Sequence, residues 1–256
     1  MSEWTAGDFD YDRLGAGYTH VRRPDPRIAD QIHDALGDAR TVLNVGAGAG
    51  SYEPRDRLVA AVEPSATMRA QRPLDLPPAI DAIAQQLPFD DDAFDASMTV
   101  LSVHHWPDPD AGLREMRRVT TGPVVVFTFD GDALADFWLD DYAPELIAVE
   151  RRRYPALSRI VDALGGECVV RPVEIPFDCT DGFGDAFYGR PEAFLDPAVR
   201  AAQSAWGFVE PDAEARAVTR LQADLDAGEW DRRHGHLRNQ PSYAGAVRLV
   251  ISSPEP

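Results

Sequence analysis

The sequence predicts an α/β fold built on a doubly wound, mostly parallel sheet, and three observations carry that reading. Val42-Leu-Asn-Val-Gly-Ala-Gly-Ala-Gly50 is an apolar run that breaks into closely spaced glycines. A buried strand does this when its backbone must turn tightly against a ligand that no side chain may obstruct. Val59-Ala-Ala-Val62 is a second apolar run, and it ends in Glu63. Strand-length apolar runs then alternate with amphipathic stretches through the first half of the chain, the pattern that builds parallel sheets.

Each element follows in order. Asp25-Pro-Arg-Ile-Ala-Asp-Gln-Ile-His-Asp-Ala-Leu-Gly37 has proline near its start and glycine at its end, which bracket one amphipathic helix. Strands are expected near 41–45, 59–62, 79–83, 96–101 and 123–129, with helices near 65–72 and 109–119. Residues 132–164 read as a long helical stretch ended by Gly165-Gly166. A strand near 167–175, an irregular aromatic segment over 176–210, a polar helix near 212–227 and a final strand from Tyr243 to Ser252 complete the chain. The sequence holds no internal repeat, low-complexity tract or linker, so one domain with insertions is expected over residues 1–256.

Composition narrows the function. The formal charge of −18 makes nucleic acid an improbable partner, because phosphate contacts need a basic surface. There is no lysine, so all 25 basic residues are arginine, which removes Schiff-base chemistry and phosphate-loop lysines. Cys168 and Cys179 lack a Cys-x-x-Cys spacing and read as free, buried thiols rather than a disulfide framework or zinc site. Residues 1–10 are polar and acidic, unlike a signal peptide, and no apolar run reaches membrane length. A cytoplasmic monomer or homodimer, away from membranes, is expected.

The glycines and Glu63 together point to a nucleoside cofactor, since an acidic residue at the tip of the neighbouring strand can accept both ribose hydroxyl hydrogens. Two details argue against a dinucleotide. That fingerprint is Gly-x-Gly-x-x-Gly, whereas position 51 here is Ser and the spacing is Gly-x-Gly-x-Gly. Only Ser51 to Leu58 separate the last glycine from the second strand, with Pro54 inside, so any helix there is about one turn long. Such a crossover cradles a pyrophosphate poorly and suits a cofactor without phosphates.

At these residues the chain resembles the class I S-adenosylmethionine-dependent methyltransferases, closest to the small-molecule, type 11-like branch. Three blocks carry the resemblance: Val42 through Glu53; Val59-Ala-Ala-Val-Glu-Pro-Ser65 with Met68; and Leu87-Pro-Phe89, Phe94-Asp95 and Val103-His-His-Trp-Pro-Asp108. The resemblance implies a Rossmann-like sheet of seven strands, the last antiparallel. It divides the single domain into an N-terminal helical cover (1–40), a cofactor-binding core (41–130), lid or substrate insertions (131–210) and a C-terminal helix and strand (211–256). It implies S-adenosylmethionine as cofactor, S-adenosylhomocysteine as product, and a small-molecule acceptor methylated on oxygen, nitrogen or carbon.

Carried over position by position, Gly46, Gly48 and Gly50 would surround the methionine part and ribose, and Glu63 would bind the ribose hydroxyls. Pro64 and Met68 would pack near the adenine, with Ala84 and Gln85 along its edge. Ser102 would offer its backbone carbonyl to the cofactor amino group, and Tyr18 and Arg22 are candidates to meet the carboxylate. Two departures stand out. Asn44 occupies a place where relatives commonly carry an acid, and Ile83 one where many carry an aspartate for the adenine amino group.

Methyl transfer from a sulfonium needs alignment, water exclusion and sometimes a base. His104 and His105, at the mouth of the expected cleft, are the candidate bases, set against a plain role in shaping the loop or packing on Trp106. Trp106, Phe137, Trp138, Tyr142, Phe187 and Tyr188 are candidate substrate contacts, although helical aromatics are usually core. Arg151-Arg-Arg153 reads as a solvated helix face, His234 and His236 as solvated, and Asp130 with Asp132 as acidic loop residues, so no metal site is expected. Two alternatives stay open. One is the same fold without methyl transfer, catalysing cyclisation or elimination or serving as a binding scaffold; the other is a nicotinamide oxidoreductase.

Overall fold

The computed structural model describes residues 22–254. The apolar run before the glycines forms strand β1 (Thr41–Val45), and the run before Glu63 forms β2 (Leu58–Val62). They are followed by β3 (Ala96–Val100), β4 (Val124–Phe129) and β5 (Glu167–Pro172). A short pair, β6 (Ile175–Pro176) and β7 (Ser242–Tyr243), stands apart from the main sheet, and β8 (Val247–Ser253) closes it. The order is β2-β1-β3-β4-β8-β5. β1 to β4 are parallel, and β8 runs antiparallel between β4 and β5, with Val126 opposite Val250 and Val169 opposite Ile251.

Among the described residues this sheet has six strands rather than the expected seven. The segment near 79–83 is reduced to one parallel bridge from Val62 to Ile80. Ile80 N donates to Ala61 O at 2.8 Å, and Glu63 N donates to Ile80 O at 3.0 Å. Pro77 and Pro78 precede it and have no N–H to give a ladder. Ile80 and Ile83 keep 43% and 49% exposure, so no packed face holds the segment flat.

The strand period divides the core in two. Val42, Val125, Phe127 and Phe129 face the layer that contains Ile28 and Ile32 of helix α1 (Pro26–Ala35) and the aromatic insertions. Leu43, Val45, Val124 and Val126 face the other side. The short α2 (Ala66–Ala70) follows β2, and α3 (Pro109–Arg118) brings Leu113 and Met116 onto that second face. Each such side chain, fully buried, contributes roughly 1.5–3 kcal/mol of hydrophobic stabilisation. Helix starts follow local chemistry: the Asp25, Ser65 and Asp108 side chains accept from Arg27 N, Met68 N and Ala111 N.

The expected long helix over 132–164 is broken into pieces. Two 3₁₀ turns (Ala133–Asp136 and Trp138–Asp141) precede α4 (Pro144–Arg153) and α5 (Leu157–Leu164). Pro144 and Pro155 set the breaks, because proline fits a first helical turn and disfavours helix in the residue before it. α6 (Pro197–Ala201) lies among further 3₁₀ turns, and α7 (Pro211–Asp226) and α8 (Glu229–His234) complete the helical cover. No helix among the described residues is long and apolar enough to cross a membrane.

Candidate active site

β1, β2 and β3 all end at one edge of the sheet, and a cavity of about 360 Å³ opens there. Gly46 turns β1 away at φ +66°, and a Cβ there would meet Ser102 Oγ at 1.9 Å. Gly48 also lies in the left-handed region and donates its N–H to Glu63 Oε2 at 2.8 Å. Glu63 Oε1 accepts from Ser65 N at 2.8 Å, so two backbone donors fix the carboxylate at the cavity wall. Burial pushes the Glu63 carboxyl upward, and those two bonds act against it.

Asn44, Gly46, Gly48, Glu63, Pro64, Met68, Ala84, Gln85, Ser102 and Arg22 all line this cavity. Gly50, at φ +92°, turns the loop without lining it, and Tyr18 lies outside the described residues. The Ser102 carbonyl already accepts from His105 N at 2.8 Å, while its Oγ accepts from Trp106 Nε1 at 3.0 Å. Gln85 spends its side-chain amide on Asp108 O at 3.2 Å. Ile83 lines the cavity as an apolar residue.

Beneath the glycine turn lies an ion pair the sequence did not advertise. Arg72 grips Glu53 with both guanidinium arms, at 3.0 and 2.8 Å, and the Glu53 side chain is fully buried. Glu53 Oε1 in turn accepts from Asn44 Nδ2 at 3.0 Å. This bond fixes the Asn44 amide so that its Oδ1 is buried without a hydrogen-bond partner at the cavity wall. A buried acceptor left open in this way suits a donor on a ligand.

A second cavity, about 50 Å³, adjoins the first, and Arg22, Leu101 and His105 line both. Leu101 leaves β3 at φ +47°, a left-handed conformation that a branched residue adopts only under constraint. Arg22 bonds Asp181 at 2.6 Å, and Asp181 accepts from Tyr52 Oη at 2.9 Å. The second cavity is walled by Phe129, Leu134, Phe137, Leu139 and Ile147, and it also holds His104, Glu150 and Asp185.

His104 and His105 stack with ring centres 3.8 Å apart, and Tyr154 lies 4.3 Å beyond His104. Burial drives both imidazoles well below their usual range, helped by the Arg153 guanidinium, so both are neutral. Arg153 Nη2 lies 3.3 Å from His105 Nδ1. Arginine only donates, so Nδ1 is the acceptor and the ring hydrogen sits on Nε2. His105 therefore has its lone pair engaged and acts as a donor rather than a base.

The structure redistributes the remaining expectations. Arg153 is not on a solvated face: its side chain is 1% exposed, bonded to Ser204 Oγ at 3.0 Å and set over the Phe208 ring. Leu146, Glu150 and Arg153 share one face of α4 by their spacing of four and three, the signal the sequence did carry. Phe137 lines the second cavity, whereas Trp106 lines the first. Trp138, Tyr142, Phe187 and Tyr188 line neither. Trp138 Nε1 bonds Tyr188 O at 2.9 Å, Tyr142 Oη bonds Asp224 at 2.9 Å, and Phe187 and Tyr188 pack on Phe194 and Tyr243. His234 lies 3.1 Å from Asp141, and Asp130 and Asp132 meet Arg248 and Arg151. The described residues hold no cluster of three or more His, Cys, Asp or Glu suited to a metal.

A parallel sheet with a glycine turn, a strand-tip carboxylate and a ligand cavity at the strand ends defines a nucleoside-cofactor domain. The crossover from β1 to β2 contains turns and no helix, so no helix N-terminus is there to hold a pyrophosphate. Residues 43–125 match the methyltransferase domain family. A rice (Oryza sativa subsp. japonica) chloroplastic enzyme named 2-methyl-6-phytyl-1,4-hydroquinone methyltransferase 2 is 29% identical over 153 residues, 50% of this chain and 44% of that protein. The match thus spans less than half the length of that curated relative. The solved structure of a proposed methyltransferase from an antibiotic biosynthesis pathway of Anabaena variabilis ATCC 29413 is 29% identical. It superposes with a TM-score of 0.84, covering 91% of this chain and 99% of that one. An S-adenosylmethionine-dependent methyltransferase from Thermotoga maritima, 14% identical, shares the fold at a TM-score of 0.59 over 96% and 98% of the two chains. In its fold and over the matched residues 43–125 the chain resembles the class I S-adenosylmethionine-dependent methyltransferases.

Proposed function

We propose that the protein transfers the methyl group of S-adenosylmethionine to a compact small molecule held in the second cavity. The observation that carries this is the contact between the two cavities, which share Arg22, Leu101 and His105 as their common wall. A donor bound over the glycine turn would present its methyl group to an acceptor across that wall. When bound, the cofactor supplies an activated methyl group on a sulfonium. The chain's own residues would hold and align it. Glu63 would accept the ribose hydroxyls, Asn44 Oδ1 would accept from the amino group, and Arg22 would face the carboxylate, with Met68 and Ala84 packing on the base.

The curated relatives are named for a hydroquinone with a phytyl tail. At about 50 Å³ the second cavity has no space for such a tail, and a ring placed there would also take up part of the adjoining first cavity. An apolar wall with a few polar groups is the usual build of a small-molecule site. We further propose a single domain over residues 1–256, cytoplasmic, acting without nucleic acid as monomer or homodimer; Cys168 and Cys179 are both free thiols.

The test is a thermal-shift titration with S-adenosylmethionine, S-adenosylhomocysteine and NAD. Ligand at about 100 times its dissociation constant adds ~2.7 kcal/mol, a rise of roughly 5–10 °C for a domain of this size. Both sulfur nucleosides should give that rise. A rise with NAD alone would overturn the reading. Monocyclic aromatic acceptors then go on trial, with formation of S-adenosylhomocysteine as the readout.

A further inference from the structure

The second cavity buries three polar atoms without hydrogen-bond partners: Glu150 Oε2, Asp185 Oδ1 and His104 Nδ1. Each is an open site on a mostly apolar wall whose other polar residues include Arg22, His105, Gln203 and Ser204, and an unmade hydrogen bond on a buried group costs roughly 1–3 kcal/mol. Asp185 is anchored, since its Oδ2 accepts from Ala246 N at 2.7 Å. Glu150 is not anchored. Its nearest cation, Arg153 Nη1, stands 3.9 Å away, beyond hydrogen-bond range, and is itself bonded to Ser204.

We propose that Glu150 is the base that takes the acceptor's proton, and that the acceptor is a compact, largely apolar molecule presenting a hydroxyl group to it. This rests on the methyl-transfer reading above. The acceptor's O–H bond breaks as its oxygen bonds the methyl carbon, and the proton passes to the Glu150 carboxylate. The carbon–sulfur bond breaks with its electron pair left on sulfur, leaving a neutral thioether. One positive and one negative charge vanish together, which an apolar cavity favours. A hydroxyl gains from such a base because its neutral form is a weak nucleophile, whereas an amine attacks through its own lone pair.

The surroundings suit the role. Burial pushes the Glu150 carboxyl up to about 7; Arg153 and Arg22 act downward, and the Asp185 carboxylate pushes further up. Asp185 itself is raised by burial to about 6. Of the other titratable groups at this wall, His104, His105 and Tyr154, the two imidazoles do not compete for the proton, because burial holds both in their neutral form.

The test needs no knowledge of the natural acceptor. Affinities for S-adenosylmethionine and S-adenosylhomocysteine are measured by calorimetry between pH 5.5 and 8.5 in wild type, Glu150→Gln and Asp185→Asn. The two ligands differ by the sulfonium charge, so their affinity ratio reads the charge on Glu150. In wild type the preference for the sulfonium should rise roughly three- to tenfold with pH, for charges within about 10 Å of one another. In Glu150→Gln the rise centred near pH 7 should be lost, leaving only the step near pH 6 that belongs to Asp185. In Asp185→Asn the rise should persist with its midpoint moved to lower pH, because a like charge has been removed. A flat wild-type ratio with both ligands bound, a rise centred near pH 7 that survives Glu150→Gln, or an unmoved midpoint in folded Asp185→Asn overturns the assignment and leaves the methyltransferase reading standing. Failure of both ligands to bind overturns the two together. With S-adenosylhomocysteine bound, phenol should bind more tightly than toluene or aniline; equal binding of the three overturns the hydroxyl.

Discussion

Arg72→Met leaves Glu53 as a fully buried carboxylate without its cation, directly under the glycine turn. In the native protein Arg72 meets both Glu53 oxygens and also donates twice to Pro77 O, at 3.1 and 2.8 Å. Breaking such a pair by removing one partner costs about 3–5 kcal/mol, because the remaining charge has lost its water as well as its partner. For a chain of this length each kcal/mol shifts the melting temperature by roughly 2–4 °C, so a fall of roughly 10 °C is expected. Urea titration gives the free energy directly, provided the slope stays that of wild type. The diagnostic step is the double variant Glu53→Gln with Arg72→Met. Glutamine still accepts from Asn44 Nδ2, and no buried charge remains, so the double variant should recover roughly 2 kcal/mol relative to Arg72→Met. If Arg72→Met lies within about 1 kcal/mol of wild type, or the double variant is no more stable than it, the ion pair is not what holds the turn.

Other substitutions probe the neighbouring links. Glu63→Ala should weaken S-adenosylhomocysteine binding by roughly tenfold or more, since hydrogen bonds to a charged group contribute about 1.5–3 kcal/mol; unchanged calorimetric affinity would remove the ribose role. Gly46→Ala sets a Cβ against Ser102 Oγ and keeps a left-handed φ, so affinity and stability should fall together, and a variant with wild-type affinity would refute the close approach. The Asp25 carboxyl is held at about 2, chiefly by its hydrogen bond to Arg27, against desolvation. A depressed folded-state pKa stabilises above the unfolded value near 4 and loses that contribution as pH falls from about 4 to about 2. Asp25→Asn should therefore cost about 2 kcal/mol at neutral pH, with the deficit shrinking as acid is added; a deficit constant between pH 5 and 2 would exclude the charge as its origin.

What the sequence disclosed was the part encoded by neighbours along the chain. Val42 through Gly50 and Glu63 required only a strand, a turn and an adjacent strand, and the lining of the first cavity follows from them. Helix starts at Pro26, Pro109 and Pro211 were equally local. The strand near 79–83 failed because an edge segment with exposed isoleucines has nothing to pack against. The helical stretch over 132–164 failed because Pro144 and Pro155 outweighed its apolar period. The polar groups of the second cavity were hidden for a different reason. Glu150, Arg153 and Asp185 sit among charges that look solvated in sequence, and only the fold brings the insertions over His104 and His105. Aromatic residues such as Trp138 and Tyr188 gave the opposite error: they build the wall's support rather than its surface.

The antiparallel strand β8 lies between β4 and β5, and among the described residues β5 has no other neighbour in the sheet. Over a hundred residues separate Phe129 from Val247, which face each other in the finished sheet. During synthesis β4 must therefore wait, one edge open, while both insertions and the helical cover are made. Pairings this distant in sequence close slowly, and a waiting apolar edge invites association with other chains. The completed core depends on a late arrival, so ribosomal stalling before Val247 would release a chain whose cofactor loop is present but whose sheet lacks its link to β5. A C-terminal truncation series followed by limited proteolysis should show protection of β4 appearing in one step, once residues 247–253 are included.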